Sequence, residues 1–218
     1  MIQTSKMLLH LAEKCGFSIA DPDDALGLRV RGMNFTIHTY TAPKLGHISV
    51  MKASGFFGLM KMDTLIITPT QKDMPLFSYD RVLAMGNDTL IFELYDTLLG
   101  QTDLSALENV KEAQKALPDH DLGKHWYDSI KLPQSLSKKG KKKDSAAFDA
   151  AADAYLSAYI QAAASAAPSE AEAKREKAAV YVEGLLTHGG PSTDVFKKGI
   201  GDEETARLFR KILFATEA

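Results

Sequence analysis

The chain has 218 residues, 45% of them hydrophobic and 25% charged, with a formal net charge of −2. That balance suits a globular domain able to bury a sizeable core, and it excludes the global positive field of a general nucleic-acid binder. The one cysteine, Cys15, allows no internal disulfide and supplies too few thiolates for an iron–sulfur cluster.

The opening MIQTSKMLLHLAEKCGF lacks the basic region and cleavage site of a signal peptide, and no apolar run approaches the ~18 residues needed to span a bilayer. The expectation is one cytoplasmic domain over 1–218 with no membrane partner. Met7, Leu8, Leu11 and Cys15 fall at helical spacing and Gly16 offers a stop, so residues 5–14 read as a short helix. From Leu26 the pattern becomes β-like in six runs, LGLRVR, MNFTIHTYT, GHISVMKAS, LMKMDTLIIT, LFSYDRVLAM and TLIFELYD, each bounded by Gly, Pro, Asn or Asp. No helix of useful length separates them and MGND is a tight-turn signal, so an antiparallel meander over about 26–97 is expected.

Residues 104–214 read as mainly helical. Leu104, Leu107, Val110, Ala113 and Leu117 keep helical period, and the irregular DHDLGKHWYDSIKLP follows with the only tryptophan, Trp126. Lys138, Lys139, Lys141, Lys142 and Lys143 then read as a solvated flexible segment, with docking of an acidic partner as the alternative. An alanine-dense stretch over 145–167 places Phe148, Ala152, Tyr155, Leu156 and Tyr159 on one face. Pro168 is read as opening a second helix to about Leu186, Pro191 restarts the chain, and a last helix from about Asp202 buries Ala206, Phe209, Leu213 and Phe214. Strands followed by helices imply an α/β (α+β) domain with helices packed on the faces of a central antiparallel sheet.

No dinucleotide, P-loop, nucleophile-elbow or zincin motif occurs, and the six histidines, including the pair His120 and His125, show no metal-ligand spacing, so no metal is expected. The carboxylates carry more. Asp63, Asp80 and Asp96 lie in or at the end of apolar β-runs, where a charge is expensive to bury and where desolvation would make an aspartate a proton donor near neutral pH. Outward-facing positions on a half-wet strand are the alternative, favoured for Asp63 and Asp96 and evenly balanced for Asp80.

The segment IITPTQKDMPLFSYDRVLAMGNDTLIFELYD resembles the central signature of the ferredoxin-dependent bilin reductases, with Pro69, Asp73, Met74, Pro75, Leu76, Phe77 and Asp80 in matching order and Asp96 similar to the aspartate ending the next strand. The likeness extends through the loop around Trp126 and through FKKGIGDEETARLFRKILF at the C-terminus, covering roughly 30–214. It implies a three-layer α/β/α sandwich with the bilin between the sheet and the C-terminal helices. It also implies stepwise reduction of a linear tetrapyrrole such as biliverdin, with electrons from ferredoxin or flavodoxin, protons from side chains, and no permanently bound cofactor.

Asp80 matches the family's catalytic aspartate. His47 looks like a histidine some members carry on a preceding strand, and Asp63 stands where the phycocyanobilin-forming branch has a catalytic histidine. Gly189, Gly190 and Pro191 occupy the place of a second acid, with Asp194 about one turn later as the remaining candidate. Ser192, Thr193 and Asp194 replace basic residues that hold bilin propionates in the family, which leaves Lys197, Lys198 or Arg81 for that task. A non-catalytic tetrapyrrole carrier on the same fold is the alternative function. A helix-rich interaction module whose lysine loop binds an acidic protein or nucleic acid is the third.

Overall fold

The computed structural model describes Glu13, residues 16–19 and residues 25–217. The helix expected over residues 5–14, with Cys15 beyond it, lies outside the described residues except for Glu13. From Leu26 onward the period-two runs form strands β1 (Leu26–Val30), β2 (Met33–Ala42), β3 (Gly46–Gly55), β4 (Met60–Pro69), β5 (Leu76–Ala84) and β6 (Asn87–Tyr95). Each pairs with the next in antiparallel register, as short connections between consecutive strands require.

A seventh strand closes the order. Leu136–Lys141 pairs antiparallel with β6 as β7, so the lysine-rich segment is sheet rather than the flexible loop expected from its charge. Its alternation explains why. Leu136 and Lys138 are buried while Lys139 and Lys141 face water, and Lys138 Nζ reaches the Leu117 carbonyl and Asp119. Exposed lysines on an edge strand also discourage pairing with another chain.

Helices α1 (Ser105–Ala113) and α2 (Ser145–Ser165) cover one face of the sheet, and α3 (Ala171–His188), α4 (Pro191–Ile200) and α5 (Asp202–Arg207) cover the other, which makes the α/β/α sandwich. Under α2, Phe148, Tyr155, Leu156 and Tyr159 pack on Leu65, Ile67, Phe77, Tyr79 and Phe92. On the opposite face Phe35, Ile37, Met51, Ile66 and Tyr95 meet Tyr181, Leu185, Phe196 and Phe209. Strand β4 is sandwiched between both layers, so its second half reads as a continuous apolar run instead of alternating.

Pro168 does not open α3. It forms a β-bridge with Lys72, and the helix begins three residues later at Ala171. Pro191 does restart the chain, as the first residue of α4, where its missing N–H leaves nothing unsatisfied. Gly189, with φ of 83°, makes the left-handed turn between α3 and α4. After α5 the chain passes into a π-helical turn, Leu208–Leu213, marked by the Phe214 amide bonding the Phe209 carbonyl.

Candidate functional site

Alternation along β5 sorts its side chains. Phe77, Tyr79 and Arg81 face α2, while Ser78, Asp80 and Val82 face α3 to α5. On that second face a cavity of about 240 Å³ separates the sheet from the helices. Thr64, Asp80, Ile91 and Glu93 form its floor, Tyr127, Tyr181 and Leu185 its walls, and Phe209, Leu213 and Phe214 its roof. The roof owes its position to the π-helical turn, which brings three large apolar side chains together over the sheet.

Asp80 accepts a hydrogen bond from the Thr64 hydroxyl on the paired position of β4. Burial pushes its carboxyl up to about 6; the Thr64 bond works against that rise, and the charge of Glu93 adds to it. The neutral form is therefore held by roughly one molecule in ten at pH 7 and by half of them a pH unit lower. Glu93 stands diagonally across the β5–β6 pair, opposite Ser78. Its Oε2 accepts the Tyr95 hydroxyl at 2.6 Å, and its Oε1 lies 3.6 Å from Lys131 Nζ.

Aromatic rings frame these carboxyls. Tyr95 stacks on Tyr181 at 4.0 Å and meets Tyr127 edge-on at 5.6 Å, while His125 stacks on Tyr127 at 4.8 Å. Burial, with the nearby negative charge of Glu93, Asp128 and Asp80, raises the Tyr127 hydroxyl, so it is neutral at physiological pH. The turn Trp126–Ser129 is locked by Trp126, whose indole donates to the Gly189 carbonyl at 2.9 Å and lies against Gly184 of α3. Any Cβ at Gly184 would sit 2.0 Å from that ring.

The other expected site residues fall elsewhere. Asp63 is buried on the α2 face, in register with Arg81, because it has the opposite parity to Thr64. His47 shares the face of Asp80, but its register partner is Thr68, about 13 Å along β4 from Thr64. Its Nε2 is 2.8 Å from the Ile212 carbonyl, and Ser49 donates to the Leu213 carbonyl at 2.9 Å. The pair holds the cavity roof on the sheet. Asp194 is exposed and folds against Gly189, while Gly190, Pro191, Ser192 and Thr193 before it line the cavity.

None of the three suggested propionate partners lines the cavity. Arg81 is buried on the α2 face in an ion pair with Asp88, Lys197 is engaged with the Leu186 carbonyl, and Lys198 is exposed. Asp96 is exposed beyond the end of β6. Asp73 of the signature is architectural: against its desolvation, the amides of Leu99 and Gly100 and the Lys174 ammonium hold its carboxyl below the usual range. Among the described residues, no group of three or more His, Cys, Asp or Glu side chains could hold a metal ion, and no helix is long and apolar enough to cross a membrane.

Glu93 carries in the sequence the same signal as Asp80, a carboxylate inside an apolar run, TLIFELYD. Tyr127 and Tyr181 carried no such signal, because their role depends on which helix face meets the sheet.

No family model matches the sequence, and no curated protein matches it. Among solved structures, phytochromobilin synthase from tomato in complex with biliverdin is similar, with a TM-score of 0.76 at 15% identity over 98% of this chain and 83% of that one. The two chains share a fold. The likeness covers the sandwich and the order of its elements.

Proposed function

We propose that this chain reduces a linear tetrapyrrole, biliverdin or a related bilin, by stepwise electron transfer from ferredoxin or flavodoxin, with Asp80 as proton donor. The observation that carries the reading is Asp80 itself. It is a carboxyl with its neutral form favoured by burial, on the floor of an aromatic-walled cavity, at the position that matches the catalytic aspartate of the resembled family. The shared fold with a synthase bound to biliverdin adds independent support.

In this reading each reduced double bond takes up two electrons and two protons. An electron entering the conjugated bilin makes its carbon and nitrogen positions more basic, and a protonated Asp80 beneath the ring then transfers its proton. Tyr95, Tyr127 and Tyr181 offer flat apolar surface to the pyrrole rings and restrict access of water to the radical. The propionates are assigned to the N-terminus of α4, where first-turn amides and the Ser192 and Thr193 hydroxyls replace the family's basic residues. The Thr193 hydroxyl is buried without a hydrogen-bond partner, so a carboxylate there would satisfy it. A cytoplasmic setting with a reduced donor at hand belongs to the same proposal.

The test is anaerobic incubation of purified protein with biliverdin and a ferredoxin-reducing system, followed by absorbance spectroscopy. Conversion of the biliverdin band over many turnovers is expected, and Asp80→Asn should bind the pigment yet stall at a radical. An unchanged spectrum would sink the reductase reading. The carrier alternative is favoured by the outward turn of Asp194, which leaves the expected second acid out of the cavity. Tight biliverdin binding without electron uptake is its signature.

A further inference from the structure

Three hairpin turns share one edge of the sheet: Arg31 and Gly32 between β1 and β2, residues 56–59 between β3 and β4, and Met85 and Gly86 between β5 and β6. Strand β7 also ends there, since Lys141 is in register with Asn87 and the Lys142 amide donates to the Gly86 carbonyl at 3.1 Å. Met60 pairs with Ala84, so the second and third turns stand about 10 Å apart, two strand spacings. Of the six large apolar side chains that the described residues leave exposed, four lie on these two turns. Phe57 is fully exposed, and Phe56, Leu59 and Met85 are 62%, 70% and 89% exposed.

These side chains stand where the fold gains nothing from them. Phe56, Phe57 and Met85 have φ of 51°, 56° and 51°, the left-handed region in which Gly or Asn is unstrained and a bulky side chain is not. A Cβ added at Gly32, Gly58 or Gly86 would meet no atom within 4 Å, so the turns are convex and open to solvent. Steric cost and exposed apolar area coincide at both tips, a pairing that marks an interaction surface rather than packing. The charge around them has one sign. Arg31, Lys61, Lys141, Lys142 and Lys143 are exposed, while the carboxylates next to them in the chain turn inward. Asp63 is buried, Asp88 is buried in its ion pair with Arg81, and half-buried Asp144 accepts the Lys141 amide at 3.0 Å.

We infer that this edge is a peripheral membrane-binding surface, with the tips at 56–59 and Met85 seated in the interfacial layer of an anionic bilayer and the five basic side chains on its headgroups. Exposed aromatic and aliphatic side chains leave water in that layer, and each nearby lysine or arginine adds attraction to anionic lipid. Only the tips enter, so the turn amides and carbonyls stay among headgroups and water and need no internal partners. An acidic protein would meet the same charge, but a rigid partner gains contact area from a flat, close-packed patch, and two separate convex tips offer little of it. A bilayer conforms to both. The expectation of no membrane partner rests on the lack of a spanning segment; no helix among the described residues is long and apolar enough to cross a membrane, and a surface contact needs none. None of these groups lines the Asp80 cavity, so the surface stands whether or not the chain reduces a bilin.

Vesicle flotation of the full chain tests the surface, with vesicles of neutral phosphatidylcholine alone and with about one-third phosphatidylserine. Binding to the anionic vesicles at least tenfold tighter than to the neutral ones is expected, falling as salt rises to about 0.5 M. Phe57→Ser combined with Leu59→Ser should lose at least tenfold in that binding with an unchanged circular dichroism spectrum, and Lys142→Glu combined with Lys143→Glu should remove most of the preference for anionic lipid. In Phe57→Trp, brominated lipid should quench the tip fluorescence well beyond its effect on the wild type, whose only tryptophan is Trp126. Absence of vesicle binding, binding indifferent to the tip substitutions, or a tip tryptophan unquenched by brominated lipid overturns the surface. So does concentration-dependent dimerisation, or binding of an acidic protein, that needs the tips while vesicles are ignored.

Discussion

Asp80 is held in a state that its own stability would not choose. Its carboxyl stands at about 6 in the folded chain against 3.8 for an ordinary aspartate, chiefly through desolvation. The folded state therefore binds the proton more tightly than the unfolded one. The stability tied to the neutral form is complete below about pH 4 and is lost as pH rises through 6, amounting to about 3 kcal/mol at pH 7. Asparagine cannot ionise, so Asp80→Asn should unfold at higher urea than the wild type at pH 7 by up to that amount, with the two converging near pH 4. A difference that ignores pH would mean that Asp80 is not desolvated. Arg81, one residue later, has the opposite fate: Asp88 neutralises it on the other face, with Phe148 against its guanidinium. Both charges interrupt one apolar run, and only strand parity separates their roles.

At the scale of elements, most strands and helices follow from local pattern. Six strands were expected within a few residues of their observed ends, and MGND forms the expected tight turn, with Met85 and Gly86 both at positive φ. The lysine-rich segment is the exception. Five lysines in six residues outweigh the β-signal of Leu136 and Lys138 in any local reading, but the unpaired edge of β6 decides otherwise, since it needs partners for its amides and carbonyls. Helix α3 shows the reverse case, where a local liability serves a tertiary purpose. Gly184 weakens a helix interior but admits Trp126, whose indole sets the turn carrying His125 and Tyr127. Gly184→Ala should therefore destabilise the chain by roughly 1–3 kcal/mol in spite of alanine's better helix propensity. Thermal unfolding checks the sign, and a red-shifted tryptophan emission should report the displaced ring.

Across the whole molecule, the sheet binds its two ends together through the cavity roof. His47 and Ser49 on β3 meet the carbonyls of Ile212 and Leu213, more than 160 residues later in the chain. These contacts satisfy the end of a π-helical turn that would otherwise leave carbonyls unpaired. Replacing both by alanine should cost roughly 1–3 kcal/mol and concentrate the loss locally. Faster amide exchange confined to residues near 208–214, with biliverdin bound about tenfold more weakly, is the expected result; uniform exchange across the sheet would argue against a roof clamp. His47 thus has a structural account that its sequence context did not offer.

By itself the sequence determined the meander, the helical second half, the two-layer covering of the sheet and the conspicuous position of Asp80. Each of these rests on periodicity or on short-range turn chemistry, which neighbours in the chain express. Tertiary structure alone decided that Asp63 faces away from Asp80, that Asp194 turns outward, that β7 exists, and that Glu93 joins Asp80 in one cavity. Face and partner are fixed by the register between strands and by which helix covers which side, and those are long-range choices that no local pattern encodes.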